Sequence, residues 1–160
     1  MARARIGDIV EIQTAKGFAY AQYTHNHTEP PKYGQLLRVF EGTHVERPRD
    51  LDALAHSPVQ FITFFPLHTA LTRDIFQVVG NVLVPKEAQA FPLFRVKGLI
   101  DKETKKARRW GLWDGEGRST TLNRPLTEAE KCLPILGVIN DTLLVERIET
   151  GWRSELDIHT

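Results

Sequence analysis

The sequence predicts an α+β fold that is mostly β, a bent antiparallel sheet or small barrel with two short helices near the C-terminus. Three observations predict it. Runs rich in β-branched and aromatic residues recur through the first two thirds of the chain. Turn-forming clusters separate these runs, and helix-capping patterns gather in the last third. A chain of 160 residues is one domain's length, enough to bury roughly 70% of the surface of the unfolded chain. We therefore read residues 1–160 as a single β-rich domain.

The elements follow in order. GDIVEIQ (Gly7 to Gln13) and FAYAQYTH (Phe18 to His25) read as a hairpin joined through TAKG, which ends in Gly17. Alternation places Phe18, Tyr20 and Gln22 on one face of the second strand and Ala19, Ala21 and Tyr23 on the other. Two largely apolar faces suit a strand inside a barrel or sandwich. HNHTEPPKYG then reads as a surface loop, because consecutive prolines cannot continue a paired strand. QLLRVFEG (Gln35 to Gly42) and VQFITFFP are strands, with a polar connection between them. HTALTRD suits one helical turn. IFQVVGNVLVP (Ile75 to Pro85) is strand-like, with Gly80 and Asn81 marking a turn or bulge.

FPLFRVKGLI and RRWGLWDG flank the charged tip DKETKKA as a long hairpin. Beyond it, LTEAEKCL (Leu126 to Leu133) pairs Thr127 with Glu130 in a capping-box spacing, so a short helix is expected, stopped by Pro134. INDTLLVERIETGW (Ile139 to Trp152) offers Asn140 as N-cap, Leu144 and Ile148 on one face and Gly151 as C-terminal stop. A helix is the preferred reading there, with a strand over TLLVERI as the alternative.

Composition narrows the function. Hydrophobic residues make up 41% and charged residues 26%, the balance of an ordinary globular protein. A net charge of +1 supplies no global attraction for nucleic acid, so any charge argument is local. The single cysteine, Cys132, excludes an internal disulfide and a cysteine-based metal cluster, and it reads as a small buried hydrophobe on the first helix. MARARIGDIV lacks the apolar run of a signal peptide, and no stretch approaches the roughly 20 apolar residues of a membrane span. A cytoplasmic protein is expected.

No serine-nucleophile elbow, phosphate loop, zinc-protease helix motif or dinucleotide fingerprint occurs. We therefore expect no enzyme and no cofactor; a hydrolase assembled from dispersed His, Tyr and acidic residues is the remote alternative. His25 and His27, two apart, would share a face of an extended chain and could chelate a metal. With no third ligand fixed beside them, solvated loop histidines are the simpler reading.

The hairpin tip carries the strongest binding signal. Lys102, Lys105, Lys106, Arg108 and Arg109 stand against Asp101 and Glu103, a local net of +3 beside Trp110 and Trp113. Such interleaving suits single-stranded nucleic acid, which makes a nucleic-acid-binding small barrel using residues 102–113 the runner-up. A solvated tip, charged against edge-to-edge pairing, is the bland explanation for the lysines. Arg and Trp beside each other point more simply to a protein partner. Three residues apart in a strand, the two tryptophans face opposite ways. Trp110 lies on the side of Leu112 and reads as core. Trp113 lies on the side of Arg109 and reads as a partner-facing anchor, completing a candidate partner-binding set of Trp113, Arg109, Arg108, Lys106 and Lys105.

The order of motifs, GDIVEI, GFAYAQY, FFPLHTAL, WGLWDG and LPILGVINDTLLVERIETGW, resembles the immunity protein 26 type family of bacterial polymorphic-toxin systems over nearly the whole chain. The resemblance implies a small cytosolic β-rich protein that neutralises a cognate toxin by stoichiometric complex formation. It implies no active site and assigns no contact residues.

Overall fold

The structure is a computed structural model and describes residues 3–157. Five strands form the main sheet in the order β4-β3-β2-β1-β5, antiparallel at every pairing. They are β1 (Asp8–Thr14), β2 (Gly17–His27), β3 (Gly34–Phe40), β4 (Val59–Phe64) and β5 (Gln77–Asn81). A smaller sheet has the order β6-β7-β8, from Phe94–Lys97, Trp110–Trp113 and Thr120–Thr121. The α+β, mostly β prediction holds. Of the two architectures it left open the sheet is the one formed, because β4 and β5 remain edges and no barrel closes among the described residues. Register shifts at Tyr23/His25, Ile9/Val10 and Val39/Phe40 insert bulges, and bulges bend a sheet.

The first hairpin turns tightly, with Thr14 paired to Gly17 across Ala15 and Lys16. Gly17 has φ +125°, and a Cβ there would lie 2.8 Å from the His44 carbonyl oxygen, where Phe18 and His44 exchange backbone hydrogen bonds. Only glycine accommodates both conditions. The alternation in β2 is as expected, and both faces are buried. Ala19, Ala21 and Tyr23 join Val10, Ile12, Leu37, Val39 and Phe61 in one core. That core is covered by α2 (Leu67–Thr72) and α4 (Asp141–Thr150) through Leu67, Ala70, Leu144 and Ile148.

The opposite face carries two smaller cores. Ile9, Tyr20 and Phe40 pack beneath Leu54 and Ala55 of α1 (Leu51–Ala55). Leu36 and Phe64 meet Phe94 and Trp113 of the small sheet. A third short helix, α3 (Lys86–Gln89), lies on the segment leading into β6.

The helical predictions divide. Asn140 Oδ1 accepts from the Leu143 amide at 2.8 Å, Gly151 ends the helix at φ +68°, and Leu144 and Ile148 are its buried face, so helix rather than strand forms over 141–150. At Leu126 to Leu133 only one 3-10 turn forms, Glu130–Cys132. Its capping box is intact: the Glu130 amide donates to Thr127 Oγ1 at 3.2 Å, and Glu130 Oε1 accepts from the Thr127 amide at 2.9 Å. None of its residues is buried, however, and a short helix without an apolar face to pack lacks its main source of stability. Cys132 is consequently exposed, against the expectation that it is buried. The predicted loop from His25 is corrected too, since β2 continues through His27 and turns only afterwards.

Candidate functional site

The basic hairpin is built on β6 and β7, with Phe94 opposite Trp113 and Lys97 opposite Trp110. An isolated pairing of Ile100 with Ala107 carries it outward to the charged tip. Asp101 organises that tip. Its Oδ1 accepts from the amides of Thr104 (3.0 Å) and Glu103 (2.9 Å), and its Oδ2 accepts from Arg108 Nη2 at 3.1 Å. The Thr104 amide, then the Arg108 side chain and the Glu103 amide, hold its carboxyl down at about 2. Lys105 stands at φ +61°, in the left-handed region, and Lys105, Lys106, Arg108 and Arg109 are all exposed.

Beneath the tip lies a groove of about 560 Å³ between the hairpin and residues 122–131. Trp110, Leu122 and Leu126 give it apolar walls, and Arg108, Arg109, Arg124 and Lys131 surround them. Three of these cations have carboxylate partners. Arg108 pairs with Asp101, Arg124 forks onto Glu130 at 2.6 and 3.0 Å, and Lys131 meets Glu128 at 3.2 Å. Arg109 has no ion-pair partner among the described residues. The structure thus brings Arg108 and Arg109 to one groove and leaves Lys105 and Lys106 at the tip beyond it. Groove and tip together can receive an acidic partner segment that also carries an apolar side chain.

Trp113 does not belong to that surface, and its assignment as an exposed anchor is corrected. The two tryptophans do face opposite ways, but both faces of β7 are covered. Trp113 is 5% exposed, donates from Nε1 to the Gly117 carbonyl at 3.1 Å, and lies among His27, Tyr33, Phe91 and Phe94 at centroid distances of 5.0 to 5.8 Å. The cover on its side is the end of the five-stranded sheet. Strand parity could not reveal it, because it comes from residues some 80 positions upstream.

His25 and His27 do share a face, as extended spacing requires, but a phenyl ring occupies the space between them. Phe91 lies 5.4 Å from His25 and 6.0 Å from His27. Their nitrogens are engaged. His25 Nε2 donates to the Gln89 carbonyl at 2.8 Å, since a carbonyl only accepts, and Nδ1 meets the Thr24 hydroxyl at 2.9 Å. His27 Nε2 likewise donates to the Gly115 carbonyl at 3.1 Å, while Nδ1 accepts from the Tyr33 amide at 3.4 Å. Among the described residues no group of three His, Cys, Asp or Glu is placed to hold a metal ion.

Two buried arginines stand out that the sequence reading passed over. Arg95 is wholly inaccessible. Its Nη2 donates to the Ser154 carbonyl, its Nε to the Leu133 carbonyl at 3.4 Å, and its guanidinium covers Trp110 at 4.5 Å. Arg38 is 6% exposed on the other sheet. It had a legible signal: in Leu36, Arg38 and Phe40 the arginine takes the middle position of an apolar alternation. Arg95 alternates with Phe94 and Val96 and resembles an ordinary outer-face cation.

Comparisons with protein-family models, with curated proteins and with solved structures find no match for the chain.

Proposed function

We propose that this chain is an immunity-type binding protein that neutralises a cognate toxin in the cytoplasm by forming a stoichiometric complex, docking through the basic hairpin tip and the groove beneath it. The observation that carries the reading is the groove itself. Trp110, Leu122 and Leu126 share its lining with four cations, and one of these, Arg109, has no carboxylate partner among the described residues. A cation without a carboxylate beside apolar side chains favours a partner that presents an acidic residue next to an apolar one, and complementary charge speeds encounter as well as fixing register. The motif order supports the same class. No helix among the described residues is long and apolar enough to cross a membrane, which is compatible with this assignment.

The nucleic-acid reading is weakened at the aromatic half of its surface. Trp110 is buried with Arg95 over its ring and reaches the groove with only a small part of its surface, and Trp113 lies inside a core, so neither indole stands out as a platform on which bases can stack. Co-expression with the product of the adjacent gene, followed by size exclusion, tests the proposal. A one-to-one complex that is lost in Arg109→Glu/Lys106→Glu is expected. Failure to bind any encoded neighbour, together with salt-sensitive binding of single-stranded oligonucleotides in fluorescence anisotropy, would overturn it.

A further inference from the structure

On the face of the main sheet opposite α4, a polar seam separates the two apolar cores. Gln22 and Arg38 lie opposite each other in register, and His25 follows after the bulge at Thr24. The segment 84–92, which contains α3, crosses over this seam. It is tied to the sheet by His25, whose Nε2 donates to the Gln89 carbonyl, and it is braced internally by Gln89 Nε2, which donates to the Val84 carbonyl at 3.0 Å. Under it remains a cleft of about 390 Å³, walled by Leu36, Ile62, Ala88 and Phe91, with Arg38 in its lining and Glu87 on the crossing segment.

Arg38 is an anomalous cation. Its Nη2 donates to Gln22 Oε1 at 3.2 Å and to the Ala55 carbonyl at 2.6 Å, both neutral acceptors. Its Nε is buried without a hydrogen-bond partner. No carboxylate comes within ion-pair distance among the described residues, and Glu87 acts on it only from further away. Removing a charge from water without a counterion opposes folding strongly. A buried guanidinium lacking its counter-charge, at an apolar cleft of small-molecule size, matches the usual make-up of a ligand site, where a few polar groups orient a mostly apolar ligand.

We propose that this cleft binds a small amphipathic monocarboxylate, with its carboxylate on the Arg38 guanidinium and its apolar body against Leu36, Ile62 and Phe91. One cation matches one negative charge, and Glu87 on the crossing segment disfavours a dianion. The volume has room for a body such as a single aromatic ring or a short acyl chain. This site is independent of the hairpin groove, so either proposal can fail alone.

The full chain is titrated calorimetrically with phenylacetate and hexanoate, and with 2-phenylethanol and 1-hexanol as uncharged counterparts. Saturable one-to-one binding of a carboxylate is expected, at least about tenfold tighter than that of its alcohol. Arg38→Met removes that preference, Glu87→Gln tightens carboxylate binding, and Arg109→Glu leaves it unchanged. Ala88→Trp, which fills the cleft from the crossing segment while Arg38 stays in place, abolishes binding and serves where Arg38→Met fails to fold. Equal binding of acid and alcohol, no saturable binding of either carboxylate at millimolar concentration, or full affinity in both Arg38→Met and Ala88→Trp would overturn the proposal.

Discussion

Arg95 and Arg38 are both buried on β-strands, both lie over an aromatic ring, and both donate to main-chain carbonyls, yet they are in opposite situations. Arg95 closes a junction. It joins β6 to the segments at Leu133 and Ser154, while Asp157, itself paired with Lys97 at 3.3 Å, opposes the effect of burial on its pKa. Arg38 borders a cleft, with a buried Nε left without a partner and only the distant Glu87 opposing burial. Burial alone therefore does not distinguish a structural cation from a binding one. The difference lies in whether the surrounding chain completes its hydrogen bonds and its charge.

Four measurements sharpen or break this contrast, each by chemical denaturation. The largest effect is expected at the ring cluster beside the Arg38 cleft, where Trp113→Ala empties a filled core and destabilises by about 3–5 kcal/mol. A loss below about 1 kcal/mol would instead restore Trp113 to the surface. Arg95→Met follows at about 3 kcal/mol, since it leaves the Leu133 carbonyl without its donor, leaves the Ser154 carbonyl with the Asp157 amide alone, and uncovers Trp110.

The third measurement uses a buried charge whose partners are complete. Glu11 accepts from Arg47 at 2.8 and 3.1 Å, from the Tyr20 hydroxyl at 2.7 Å and from Gln77 at 3.1 Å. The Arg47 hydrogen bond leads the influences that hold its carboxyl below the ordinary 4.5, and burial works against them. A lowered folded pKa means that the stabilisation is complete above the ordinary value and fades as pH falls through the folded one. Arg47→Ala should remove most of this acid-side slope. Because Arg47 is half-exposed, solvent screening keeps the loss at neutral pH small. An unchanged slope would show that Arg47 is not the controlling partner.

The smallest effect is expected at Arg38. Arg38→Met should change the stability of the ligand-free protein by less than about 1 kcal/mol, because the donors lost to Gln22 and Ala55 are offset by the removal of a desolvated charge. A cost as large as that of Arg95→Met would make the two arginines equivalent and erase the contrast.

Local chemistry was legible wherever it was decided within a few residues. The two faces of β2, the cap at Asn140, the stop at Gly151 and the hairpin flanking Asp101 to Ala107 all follow from alternation or spacing. Capping alone did not make a helix of Leu126 to Leu133, where no residue of the turn Glu130–Cys132 is buried. At the candidate site the exposed cations Lys105, Lys106, Arg108 and Arg109 were legible, but the groove was not, because its second wall comes from residues 122–131.

Backbone period and local propensity are enough to set the mostly β character, the strand alternation and the opposed facing of Trp110 and Trp113. Long-range packing settles that both tryptophans are covered, that Phe91 packs against both His25 and His27, and that Arg38 keeps an unpartnered nitrogen beside a cleft while Arg95 does not. Burial and partner completion depend on which distant segment arrives at each face, and β2, the 84–92 segment and β7 are brought together by ring packing and by the hydrogen bonds of His25 to Gln89 and His27 to Gly115.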